Sequence, residues 1–264
     1  MLTKRIVSSL VLIGIIIAAV FLGWFFNITV IIFIILGLYE FFTMLEHKGI
    51  NSYKYFGIAM GTIIPISIIF RFELTRRWEL LFIVLTLLFL IIMLFKRREN
   101  SGVIVDISTT VFGILYISWF FSFLIKIRYL NRGIGLFVAV LLITKLGDIG
   151  AYLIGARFGK TPLIPRISPN KSLEGALGGL LFSTAGALIS RPFLNLTYSH
   201  LILMGVSLGF LGQLGDLSES LMKRDCQVKD SGNILPGMGG VLDVMDSLLF
   251  SAPVFYFYIN ILAK

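Results

Sequence analysis

The chain has 264 residues, 57% of them hydrophobic and only 14% charged, with a formal net charge of +9 and a mean hydropathy of +0.95. A soluble domain carries about 25% charged residues, so the composition excludes an ordinary water-soluble globule and predicts an all-α polytopic integral membrane protein. The single cysteine, Cys226, excludes an intrachain disulfide, and the basic balance suits anionic partners such as lipid headgroups or nucleotide phosphates.

Apolar runs near the ~18–20 residues of a bilayer span predict about nine helices, at 5–26, 28–45, 55–70, 79–95, 108–125, 134–155, 176–190, 200–222 and 245–262. The first follows Lys4 and Arg5 like a secretory leader. Its apolar core is too long for one and lacks a small-x-small cleavage site, so it is expected to be retained. The tight connection at 26–28 predicts an antiparallel hairpin of the first two helices. No internal repeat stands out, which gives an inverted-repeat transporter no support.

Alternating the loops with the N-terminus inside puts 14 Lys and Arg on the inner side and 8 on the outer. That bias predicts a cytoplasmic N-terminus. It also predicts that the loops at 156–175 and 223–244 share the cytoplasmic face. Residues 1–130 read as scaffold helices and 131–264 as the catalytic region of one integral unit. The first five helices look chemically nearly inert, and Glu40, beside Tyr39, reads as a structural hydrogen-bond partner.

Polar residues gather in the second half. Lys145, Asp148 and Tyr152 fall at i, i+3 and i+7 and share a helix face. Ser168 and Pro169 read as a cap and turn before a helix that begins near Ser172 with Glu174 in its first turn. Lys171, Ser172 and that helix N-terminus form a phosphate-binding corner. Asp216, Glu219 and Lys223 share a face of the next helix, and Asp243 and Asp246 share a face of the last. Mg²⁺ takes carboxylate oxygens, usually one or two plus substrate phosphates. Asp216, Asp243 and Asp246, with Asp148 nearby, could supply them. Lys171, Lys223, Arg224 and Lys229 stand opposite as phosphate partners. Carboxylates for metal beside cations for phosphate is the layout of a phosphoryl- or nucleotidyl-transfer site. A buried ion pair is the structural alternative for Lys145–Asp148, and an ordinary capped helix start is the alternative for Ser172. No nucleic-acid motif is in view, and nucleic acid is not an expected partner.

The stretch Ser220-x2-Lys223-Arg224-x4-Lys229-Asp230-x-Gly232-x2-Leu235-Pro236-x2-Gly239-Gly240-x2-Asp243-x2-Asp246 resembles the signature of the phosphatidate cytidylyltransferases, the CDP-diacylglycerol synthases. So does the upstream block Asp148-x3-Tyr152-x2-Gly155-x2-Phe158-Gly159-Lys160, followed by Ser168-Pro169-x-Lys171-x2-Glu174-Gly175. The pattern departs from the family at Met238, usually His, and at Val244, usually Arg. The resemblance implies an enzyme of the cell inner membrane that joins CTP to phosphatidic acid, giving CDP-diacylglycerol and pyrophosphate. It implies Mg²⁺, with room for a second cation, membrane lipid as surroundings and a homodimer. Asp246, Asp243, Asp216 and Lys171 are then the expected catalytic set. Ser172, Lys223, Arg224, Lys229, Asp230, Lys160 and Tyr152 are expected to bind substrate. Asp246 and Asp216 lead the metal set, with Asp243 and Asp148 assisting. A CTP-dependent lipid-alcohol kinase, a transporter with an acidic core, and a non-catalytic relative remain the alternatives.

Overall fold

The computed structural model describes residues 2–70, 84, 86–92 and 102–262. The helices are α1 (Leu2–Phe21), α2 (Gly23–His47), α3 (Lys54–Ile69), α4 (Val103–Arg128), α5 (Gly133–Phe158), α6 (Leu173–Ile189), the short α7 (Arg191–Leu194), α8 (Tyr198–Asp225) and α9 (Leu242–Leu262). Residues 86–92 are also helical. Five helices are long and apolar enough to cross a membrane: α2, α4, α5, α8 and α9. The apolar stretches Ile6–Phe21, Lys54–Ile69 and Leu173–Ile189 are shorter. The expected span at 79–95 falls largely outside the described residues.

The expected hairpin forms, but its connection lies earlier than 26–28. Only Leu22 leaves the helix (φ −106°, ψ 102°), and Gly23 opens α2. Asn27, a turn former by type, is helical instead, and its amide donates to the Tyr129 hydroxyl at 3.0 Å. The antiparallel sense follows from contacts at both ends. The Ser8 hydroxyl on α1 and the Glu40 carboxylate on α2 both bond the 231–242 loop. At the other end the Arg128 guanidinium donates to Val20 O at 3.0 Å.

One apolar core joins the two halves. Phe26, Ile34, Leu38 and Phe42 of α2 meet Ile117 and Phe121 of α4, Val140 and Ile143 of α5, Leu201 and Leu208 of α8, and Leu249 and Phe255 of α9. Helix α4 contains a π-helical segment, Ile114–Trp119. There the Ser118 hydroxyl donates to Gly61 O on α3. Freed backbone inside an apolar bundle needs such internal partners.

Glycines set the closest approaches. A Cβ at Gly150 of α5 would meet Phe182 and Gly178 O of α6, and one at Gly178 would meet Ile154 and Gly150 O. One at Gly205 of α8 would meet Thr184 Cα of α6. Small residues at these crossings let helices associate by dispersion where lipid offers no hydrophobic drive.

The loop after α5 departs from the expected pattern. Ser168 and Pro169 belong to a strand, Ser168–Ser172, paired antiparallel with Pro162–Ile164. The turn is therefore a small two-stranded sheet, and it delivers Lys171 and Ser172 directly to the start of α6. Contacts across the 157–175 and 223–244 loops put both at the same end of the bundle, for example Arg224 Nε donating to Ile167 O at 3.3 Å.

Gly178→Val is expected to destabilise the fold by about 1–3 kcal/mol through overpacking. Gly14→Val, where a Cβ meets nothing within 4 Å, should stay within about 0.5 kcal/mol. Thermal unfolding of the detergent-purified variants measures both.

Candidate active site

At the loop-bearing end, α5, α6, α8 and α9 bring their polar residues together. Helix α5 presents Lys145 one turn before Asp148, and the ammonium lies 2.9 Å from the Asp148 carboxylate. It also donates to the Ser247 hydroxyl at 2.9 Å and to Val244 O at 3.3 Å on α9. The Ser247 hydroxyl in turn donates to Asp148 at 3.0 Å. The pair is only half-buried, each side chain 39% exposed, and through Ser247 it ties α5 to α9. Tyr152, the third residue of that helix face, stands 74% exposed and apart from the cluster.

Lys171, at the end of the second strand, pairs with Asp216 of α8 at 2.8 Å. Ser172 caps α6, its oxygen accepting from Gly175 N at 3.1 Å. Its own proton stays available to an incoming oxygen. Glu174 accepts from Lys160 N at 3.1 Å and Thr161 N at 3.2 Å, which holds the preceding loop against the start of α6.

On α8, Lys223 lies 3.3 Å from the fully buried Glu219 and 2.5 Å from Asp243 of α9. Apart from that lysine, the two Glu219 oxygens have no hydrogen-bond partner among the described residues. Asp243 also accepts from Ser231 N at 3.0 Å, Ser231 Oγ at 2.9 Å and Gly240 N at 2.7 Å. One turn deeper, the buried Asp246 accepts from Ser247 N at 2.5 Å. Its electrostatic neighbours are Asp216, Lys145 and Asp148. It reaches Asp216 because Gly215 lets α8 press on the α9 backbone at Asp246 O.

The expected metal set is therefore divided. Asp243 is turned to Lys223 and the loop, and Asp148 to Lys145 and Ser247. Asp216 is turned to Lys171, and Asp246 lies within its electrostatic reach on the adjacent helix. Among the described residues no three His, Cys, Asp or Glu side chains converge as a metal cage. The formal charge is still unbalanced. Asp148, Asp216, Glu219, Asp243 and Asp246 stand against Lys145, Lys171 and Lys223, which leaves an excess of two negative charges. Glu219 and Asp246 are buried, where uncompensated charge is costly, while Asp148 and Asp216 keep more than a third of their side chains exposed.

Around this inner cluster Lys160, Arg224, Lys229 and Asp230 are exposed. Cys226 is buried, and burial beside Asp225 pushes its thiol up, away from reactivity.

Three contributors escaped the sequence reading. Ser231 and Ser247 carried only the signal of lying beside Asp230 and Asp246. Glu40 is a hydrogen-bond partner, as expected, but its partners belong to the active-site loop. The first five helices are thus less inert than their composition suggests.

The chain matches the model of the cytidylyltransferase family over residues 3–262. It is 32% identical to a phosphatidate cytidylyltransferase of Synechocystis sp. over 293 residues, 98% of this chain and 97% of that protein. It is 40% identical to the Bacillus subtilis phosphatidate cytidylyltransferase over 162 residues, 60% of each chain. It is 41% identical to that of Staphylococcus aureus over 158 residues, 59% of this chain and 60% of the relative.

Replacing Lys223 by Met leaves Glu219 and Asp243 without their cation. The expected loss is about 3 kcal/mol, the scale for orphaning a buried carboxylate. Adding Glu219→Gln should recover part of it. Thermal unfolding of the single and double variants in detergent checks both.

Proposed function

The chain belongs to the cytidylyltransferase family, and from that premise we propose that it is a phosphatidate cytidylyltransferase, transferring CMP from CTP to phosphatidic acid. The observation that carries the reading is the near full-length match to the Synechocystis enzyme. The paired Asp216 and Asp246 beside Lys171 and Lys223 supply the chemistry it needs.

A phosphate monoester has its second pKa near 6 and is largely dianionic at neutral pH, so the nucleophile needs no general base. This fits a site with Met238 where the family usually has His. A phosphatidate oxygen attacks the α-phosphorus of CTP. The new P–O bond forms as the bond to the bridging β-oxygen breaks, and pyrophosphate leaves. Asp216 and Asp246 would hold Mg²⁺, and the two-charge excess of the cluster matches its valence. Bound there, Mg²⁺ supplies neutralisation of phosphate charge in the transition state. Lys171 and Lys223 exchange their carboxylate partners for phosphate oxygens when the nucleotide arrives. Ser172, at the start of α6, donates to another. Lys160, Arg224 and Lys229 on the rim attract both anions, and Asp230 lies beside them. Asp148 and Asp243 act by orienting Lys145 and Lys223. Tyr152, exposed on α5, lies where a lipid substrate would pass. The excess of Lys and Arg, 14 against 8, supports a cytoplasmic site facing the pool of CTP.

Purified protein given phosphatidic acid, Mg²⁺ and α-labelled CTP should move label into lipid. Asp246→Ala should lower the rate by at least about 10³-fold, the scale for losing a charge-stabilising group, while remaining folded. Substantial residual turnover would remove Asp246 from the metal site. Release of CDP in place of pyrophosphate would assign a lipid-alcohol kinase instead. Lys171→Ala should raise the KM for one of the two anionic substrates by about tenfold, the loss of one charge-assisted contact.

A further inference from the structure

We propose that Glu40, on the second helix and outside both motif blocks, is the positioning residue of the active site. Its carboxylate sets where α9 begins, and so where Asp246 stands relative to Asp216. The chemistry it serves rests on the cytidylyltransferase reading, whereas the contact itself rests on geometry alone.

Helix α9 opens from Gly239-Gly240-Val241, with no Ser, Thr, Asp or Asn at its start to act as cap. Its first N–H groups nevertheless need acceptors. Glu40 provides them across some two hundred residues of chain. Oε1 accepts from Val241 N at 3.0 Å, and Oε2 from Leu242 N at 2.9 Å. Gly240 N goes to Asp243 at 2.7 Å. Three successive N–H groups thus end on two carboxylates, an arrangement the positive end of a helix favours. The Ser231 hydroxyl stands between the two, 3.2 Å from Glu40 and 2.9 Å from Asp243. With one proton to share, it couples them.

The fit is close. A Cβ at Gly232 or at Gly240 would run into the Glu40 carboxylate. Glu40 is 2% exposed, and among the described residues no Lys or Arg pairs with it. A buried carboxylate without a cation is expensive, and packing alone would be served as well by an apolar residue. What only the carboxylate supplies is a pair of acceptors that fix α9 along its axis and in rotation. Asp246 follows Leu242 by one turn, so a slip at the helix start carries directly to it. A cavity of about 300 Å³ borders Glu40 on the side of His47 and Asn233. Water entering there could satisfy the N–H groups if the side chain were lost. The helix would then persist without its fixed position.

The test uses the full chain in detergent. Glu40→Gln should elute as wild type yet lose at least about tenfold in kcat, with KM for CTP and phosphatidate within about twofold, as misplacement of reacting groups predicts. Its Mg²⁺ activation midpoint should rise several-fold. The Mg²⁺-induced rise in Tm, which needs no turnover, should shrink. Gly240→Ala should reproduce these effects by pushing on the carboxylate, and it carries the test alone if Glu40→Gln does not fold. Glu46→Gln, on the same helix but paired with Lys54, should change none of them. The proposal is overturned if Glu40→Gln and Gly240→Ala keep wild-type kcat and Mg²⁺ response. It is also overturned if lost activity follows only the folded fraction. A wild type that binds Mg²⁺ without turning over CTP and phosphatidate would sink the functional reading, and the Tm response would still decide Glu40.

Discussion

Five carboxylates and three ammonium groups share the apolar end of one helix bundle, and this imbalance constrains the rest of the molecule. Each lysine is already committed: Lys145 to Asp148, Lys171 to Asp216, Lys223 to Glu219 and Asp243. The buried members, Glu219 and Asp246, are poorly screened by water, whereas Asp148 and Asp216 are partly exposed. Each lysine thus offsets part of the carboxylate charge around it.

Holding such a cluster together demands helices closer than ordinary side chains permit. The glycines of α5, α6 and α8 meet that demand, and the cost is sensitivity to any added carbon. Gly215 illustrates the link to chemistry, since its missing side chain is what lets α8 close on the α9 backbone at Asp246. The apolar core beneath, which joins α2 and α4 to α9, keeps these approaches rigid.

The active-site loop presents a different problem. Its glycines permit sharp turns, with φ of +81° at Gly237 and +100° at Gly239, but they also leave the last helix without a cap of its own. Carboxylates resolve this, one local and one from the scaffold. Asp243 is spent largely on that task and on Lys223, which is why the acidic residues of the signature divide into pairs rather than forming a single four-carboxylate cage. Scaffold and catalytic halves are therefore joined at the loop by hydrogen bonds as well as by packing.

Composition and hydropathy alone established a helical membrane protein, because a bilayer admits few other solutions for so apolar a chain. Residue spacing placed Lys145 with Asp148, and Glu219 with Lys223, because helical periodicity is a local property. It also identified the two polar loops and the family they resemble. Spacing could not decide partners across helices. Whether Asp243 faced a metal or a lysine, and whether Tyr152 joined the cluster, depended on how helices distant in sequence rotate against one another. Leu22, not Asn27, became the turn for the same reason: Asn27 found a partner in Tyr129, a hundred residues on. The reach of Glu40 to Leu242 was equally invisible, since it joins segments whose proximity exists only once the bundle has closed.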